Sequence, residues 1–105
     1  MEMTQTDKRT MEAGEIMRIC ILDGDKITDR KILHNTLAES LDFPDWYGRN
    51  LDALYDCLTD FHEETEIRLL HGTALMENLG NYALLLFKVL HEAAKDNPMI
   101  QWITE

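Results

Sequence analysis

Asp52, Asp56 and Asp60 recur at intervals of four residues in the stretch "WYGRNLDALYDCLTDF". On a helix that interval places three carboxylates along one stripe, where like charges repel by a few tenths of a kcal/mol per pair, roughly. Two such groups could act as general acid and base, or as a glycosidase pair. That chemistry requires burial or an uneven environment to raise one pKa above the other, which a stripe on one exposed helix face does not supply. A fixed row of carboxylates can instead meet cations on another molecule, or it can be a solvated polar face. Metal chemistry has little support. His34, His62, His71 and His91 fall on different elements, and no H-x-x-x-H or Cys/His cluster is present, so they read as solvated or capping histidines. The pair His91-Glu92 reads by itself as surface polar residues. With no glycine-rich phosphate loop and no G-x-S-x-G, the expectation is no catalytic residue, no metal and no cofactor.

The stripe needs a helix to carry it, and the sequence predicts one over about residues 51–60, with Asn50 suited to cap it. Leu51, Leu54 and Leu58 recur at i, i+3 and i+7 and define its buried face. Asp52, Tyr55, Asp56, Thr59 and Asp60 then fall outward. Asp52 sits in the first turn, where the helix dipole favours a carboxylate, whereas Asp60 sits at the carbonyl end, where it does not. Between residues 45 and 66 the acids are Asp45, Asp52, Asp56, Asp60, Glu63, Glu64 and Glu66, against Arg49 alone. Trp46, Tyr47, Tyr55 and Phe61 stand among them. Aromatics beside charges are more typical of contact surfaces than of solvated faces.

Around this segment the chain reads as alternating strands and helices. Residues 1–16 carry charge and little apolar periodicity, which predicts a mobile extension. "MRICILDGD" predicts a strand at about 19–22, apolar enough to be covered on both faces of a parallel sheet. "TDRKILHNTLAESLDFP" predicts a helix capped by Thr28 or Asp29, with Ile32, Leu33, Leu37 and Leu41 as its apolar stripe. "TEIRLLHG" is a strand, and "TALMENLG" a short helix with Thr73 as cap and Gly80 as stop. "NYALLLFKVLHEAAKDN" is a helix apolar over most of its circumference and so central to the core. "MIQWIT" is a last strand. The order predicts an α/β layer with a small, mainly parallel sheet.

Composition narrows the partners. In 105 residues there are 20 acidic and 10 basic side chains, a formal charge of -10. That argues against direct binding to nucleic acid, which needs Lys and Arg for phosphates, and to an anionic membrane surface. It fits a basic protein partner, and equally plain solubility. Cys20 and Cys57 lack C-x-x-C spacing and read as buried free thiols in a reducing compartment. No apolar run reaches the roughly 18 residues of a membrane span, and the N-terminus has no signal-peptide core. A cytoplasmic protein is expected.

Taken whole, "PDWYGRNLDALYDCLTDF" resembles the signature of the barstar family, intracellular inhibitors of barnase-type secreted ribonucleases. "ILDGDKI", the helix containing Leu33-His34, and "LHEAAKDN" occur in the matching order, so the resemblance covers about residues 17–103. It implies a barstar-like α/β domain over residues 17–105, with a three-stranded parallel sheet packed with about four helices and no catalytic activity. It also implies one-to-one binding to a basic ribonuclease, by a chain that is monomeric when free. The acidic helix and the loop before it would plug the nuclease active site. By position, Asp56 matches the aspartate that takes the place of an RNA phosphate, and Asp52 an acidic contact one turn earlier. Trp46 and Tyr47 match loop aromatics over the active-site histidine region. Asn50, Leu51, Tyr55, Thr59, Asp60 and Phe61 match central or rim contacts, and Glu92 a separate acid that pairs with a nuclease arginine. The aromatics at 46, 55 and 61 depart from the family's choice, and Asp60 stands where a glycine is expected. The partner is therefore left open between a barnase-type nuclease and another basic protein or toxin.

Overall fold

The computed structural model describes the backbone of residues 9–10 and 16–105 and the side chains of residues 17–105. The expected extension over residues 1–16 thus lies outside the described residues, apart from the backbone at 9–10 and 16. There a two-residue strand, β1 (Arg9–Thr10), pairs antiparallel with the start of β2 (Ile16–Asp23). The rest of the sheet is parallel: β2 pairs with β3 (Thr65–Leu70), and β3 with β4 (Ile100–Thr104), so that Cys20, Ile67 and Trp102 lie side by side. Parallel strands need long crossovers, and helices supply them here. The helices α1 (Arg30–Leu41) and α2 (Leu51–Thr59) join β2 to β3, while α3 (Gly72–Leu79) and α4 (Asn81–Asp96) join β3 to β4.

The expectation that β2 is covered on both faces is corrected. Cys20 and Leu22 are fully buried, but Ile21 between them is 49% exposed. β3 alternates the same way, burying Thr65, Ile67 and Leu69 while Glu66, Arg68 and Leu70 are only half-buried. An apolar run in sequence therefore conceals a period of two, because the core lies on one face of the sheet.

Three helices differ in detail from expectation. In α1, Asp29 caps the first turn by accepting from the Ile32 amide at 2.8 Å. Its buried stripe is Leu33, His34, Leu37 and Leu41; Ile32 is exposed, and His34 enters the core instead. α3 starts at Gly72 behind a left-handed His71 (φ 55°), so Thr73 is not its cap. α4 buries Ala83, Leu86, Leu90 and Ala93 but leaves Leu84 and Leu85 exposed, so it lies along the side of the core and is not surrounded by it. Where β2 ends, a Cβ on Gly24 would stand 2.1 Å from the His71 carbonyl oxygen, so only glycine lets β2 and the start of α3 approach this closely. Both cysteines are buried and free. Among the described residues no helix is long and apolar enough to cross a membrane.

Candidate functional site

α2 is held at both ends by asparagines. At its start Asn50 adopts an extended backbone, and its side-chain oxygen accepts from the Ala53 amide at 2.8 Å. At its end the buried Asn97, just beyond α4, donates through Nδ2 to the Leu58 carbonyl at 2.9 Å and to the Phe61 carbonyl at 3.1 Å. The Leu58 carbonyl, in the last turn of α2, also accepts from the Phe61 amide at 3.3 Å, so Asn97 adds a second donor there and ties the chain just past the helix end. Asn97→Ala should cost about 1–3 kcal/mol in urea unfolding, because it removes the one side-chain donor that both carbonyls share. Asn50→Ala should cost about 1 kcal/mol, an ordinary N-cap loss.

The loop before α2 is fixed from beneath. Tyr47 is only 3% exposed, and its hydroxyl lies 2.6 Å from His34 Nδ1. On the other side of the ring, His34 Nε2 lies 2.8 Å from the Tyr82 hydroxyl on α4. A neutral imidazole donates from one nitrogen and accepts at the other, so it can serve both hydroxyls. Burial first, and the neighbouring Arg49 and Arg30 charges next, push the His34 pKa down to about 4. The tyrosine–histidine–tyrosine chain thus ties α1, the loop and α4 together. Outside it, Arg49 in a left-handed conformation (φ 54°) donates from Nε to the Asn35 side chain at 2.9 Å. The reading of His34 as a solvated or capping histidine is corrected accordingly: the spacing of its neighbours puts it on the buried stripe, and two hydroxyls satisfy it.

On this frame Trp46 is 79% exposed, and Asp52, Asp56 and Asp60 all face outward. Among the described residues no cation lies within ion-pair distance of any of the three. Asp56 sits on a ridge between two open hollows. The first, about 420 Å³, brings Trp46, Asp56, Thr59, Asp60 and Phe61 together with Asp42, Phe43, Pro44 and Cys57. The second, about 600 Å³, brings together Leu51, Asp52, Tyr55, Asp56 and Glu92, with Lys88 and Val89 from α4. Tyr55 reaches across to α4 and donates from its hydroxyl to Asp96, which raises the phenol's pKa. Glu92 is less free than the aspartates, with Lys95 Nζ at 3.8 Å.

Nine of the eleven residues singled out from sequence therefore line one of two adjoining hollows. Asn50 is the cap at their edge. Tyr47 is not on this face: its ring packs 4.7 Å from Phe43 in the core, and what it presents is a fixed position for Trp46 beside it. Sequence reasoning missed Asp42, Phe43, Pro44, Cys57, Lys88 and Val89. Lys88 stands one turn before Glu92, so helical spacing could have found it; Asp42 belongs to α1 by chain order and reaches the site only through the tertiary fold.

A separate cluster at the end of β2 consists of Asp23, Asp25 and His71, whose ligand-type atoms all lie within 4.8 Å of one another. His71 Nδ1 is 2.8 Å from Asp23 Oδ1, and that bond raises the histidine's pKa while lowering the aspartate's. An ion pair between exposed groups accounts for the arrangement, with His71 also closing the turn into α3.

The fold and this face define a small α/β protein with an unpartnered acidic, aromatic-flanked helix on its surface. The model of the Barstar (barnase inhibitor) family matches residues 17–102, and the chain belongs to that family. It is also similar to "Putative ribonuclease inhibitor YrdF" of Bacillus subtilis (strain 168), with 41% identity over 81 residues that cover 76% of this chain and 89% of YrdF.

Proposed function

We propose that the chain is a ribonuclease inhibitor that binds a basic, barnase-type ribonuclease one to one and covers its active site with α2 and the loop before it. The observation that carries this reading is Asp56, a carboxylate with no ion-pair partner among the described residues, raised between two acid-lined hollows on a helix clamped at both ends. A ribonuclease groove must be basic to hold its substrate, so fixed carboxylates can occupy the places of RNA phosphates. Repulsion among Asp52, Asp56 and Asp60 is relieved when cations dock against them, which favours the complex over the free chain. Trp46 and Phe61 supply apolar contact beside the charges, and Tyr47 acts from the core by holding the loop. Family membership and the relative's name support the inhibitor role; the geometry supports its location.

Charge complementarity acts at long range before contact, and salt screens it: the Debye length falls from about 10 Å at 0.1 M to about 3 Å at 1 M. Raising salt from about 0.05 to 0.5 M should slow association with the nuclease at least tenfold while dissociation changes little. Stopped-flow association against a purified barnase-type ribonuclease measures this. A rate insensitive to salt would contradict an electrostatic face as the contact surface.

A further inference from the structure

We propose that the hollow between Trp46 and Phe61 is a seat for an arginine side chain of the partner, and that this seat selects which nuclease the chain accepts. The inference rests on the ribonuclease-inhibitor reading and adds to it a second cation site, apart from Asp52 and Glu92.

The two hollows differ in charge. The second is lined by Lys88, and its Glu92 already has Lys95 nearby. The first has three carboxylates, Asp42, Asp56 and Asp60, and no cation among its lining residues. Two helix ends also converge there. Asp42 is the C-cap of α1 and Asp60 the C-cap of α2, and neither helix has a basic residue in its last turn. The carbonyl end of each helix carries about half a negative charge, which a cation normally offsets. Here each carries an added carboxylate instead; Arg18 lines an adjoining hollow with Asp42 and Asp60 but bonds Glu63 at 2.8 Å, so the first hollow keeps a net negative lining.

The lining decides which cation. Phe43, Pro44, Trp46 and Phe61 give the hollow apolar walls, and the indole of Trp46 is free in solvent. Cys57, 8% exposed and without a side-chain hydrogen bond among the described residues, lines it as well. A planar guanidinium can stack on an indole while its N–H groups reach carboxylates on either side. An ammonium is more strongly hydrated and gains less from such walls. A metal ion is a poorer fit, because the oxygens of these three aspartates do not converge within 4.8 Å as those of Asp23 and Asp25 do with His71.

The test uses the double variant Asp42→Asn/Asp60→Asn. Asn tolerates the left-handed backbone at residue 42 (φ 56°), so the fold is kept while both charges are removed. Against a purified barnase-type ribonuclease, inhibition by the double variant should weaken about ten- to a hundredfold. Changing the nuclease's arginines singly to lysine should identify one whose loss is coupled to Asp60. Unchanged inhibition by the double variant, with Asp56→Ala still impaired, would overturn the seat and leave the inhibitor reading intact.

A second measurement stands apart from any nuclease: titration of the chain with the peptide Gly-Arg-Gly amide or Gly-Lys-Gly amide, read by NMR at the Trp46 indole N–H, with Trp102 as internal control. The arginine peptide should shift Trp46 more than the lysine peptide, and the double variant should lose the difference. Equal shifts from both peptides, or shifts that persist in the double variant, would overturn the proposal. If the wild-type chain inhibits no ribonuclease, the inhibitor reading fails, and the peptide titration still decides whether the hollow holds arginine.

Discussion

Asp56→Ala should weaken inhibition of the cognate ribonuclease by about thirty- to several thousandfold, with the fold unchanged. The size follows from where the residue stands. Asp56 is the one side chain shared by both hollows, so a partner that filled both, as proposed, would flank it on two sides. Removing one partner of a charge pair desolvated by an interface costs about 2–5 kcal/mol or more, a range to which the barnase–barstar complex itself contributed. Much of that loss comes from nuclease cations left facing nothing. In the free chain Asp56 is exposed, and no cation pairs with it among the described residues, so alanine there removes only repulsion along the stripe. Thermal unfolding should be unchanged or slightly improved. The combination of lost inhibition and kept stability separates a contact residue from a structural one, and a variant that lost both together would count against this assignment.

Acid should loosen the fold through His34. In the unfolded chain a histidine takes up its proton near pH 6.5, whereas His34 in the fold does so only near 4. Between those values the unfolded state binds more protons, so stability falls as pH drops from about 6.5 to 4. The shift corresponds to about 3 kcal/mol, a large share of the stability of a chain this size. The ring is 1% exposed and hydrogen-bonded on both sides to tyrosine hydroxyls, one of which donates to it; a second ring proton would force that hydroxyl to turn and accept instead, and would place a buried positive charge near Arg49 and Arg30. Urea unfolding at pH 7 and at pH 4.5, for the wild type and His34→Gln, measures the effect. The variant should be less stable at pH 7 but lose much less on acidification. A His34 resonance titrating near 6.5 in the folded chain would contradict this. In the folded chain His34 stays neutral down to about pH 4, so the bonds that fix Tyr47 hold through this window, and inhibition by the folded chain should weaken only near pH 4.

The order of elements, the cap at Asn50 and the outward aspartates were legible in the sequence because each depends on neighbours within a turn or two. What the sequence concealed depends on contacts between distant segments. Ile19 to Leu22 reads as an apolar run whether one face or two are covered, and only the packing of the helices decides it. Tyr47 and Trp46 are adjacent aromatics in one loop, yet one is core and the other is exposed; His34, thirteen residues away, draws the first inward. Asp42 joins Asp60 because two helices end at the same place, which no local pattern encodes. Asn97 likewise looks like a helix stop, and serves α2 as much as α4.

The most direct test of the inhibitor reading is RNA cleavage by a purified barnase-type ribonuclease titrated with this chain. Cleavage should fall linearly and stop at one equivalent, with excess RNA slowing the onset of inhibition. Full cleavage in the presence of many equivalents, at low salt, would contradict it and turn the search toward another basic partner for the same acidic face.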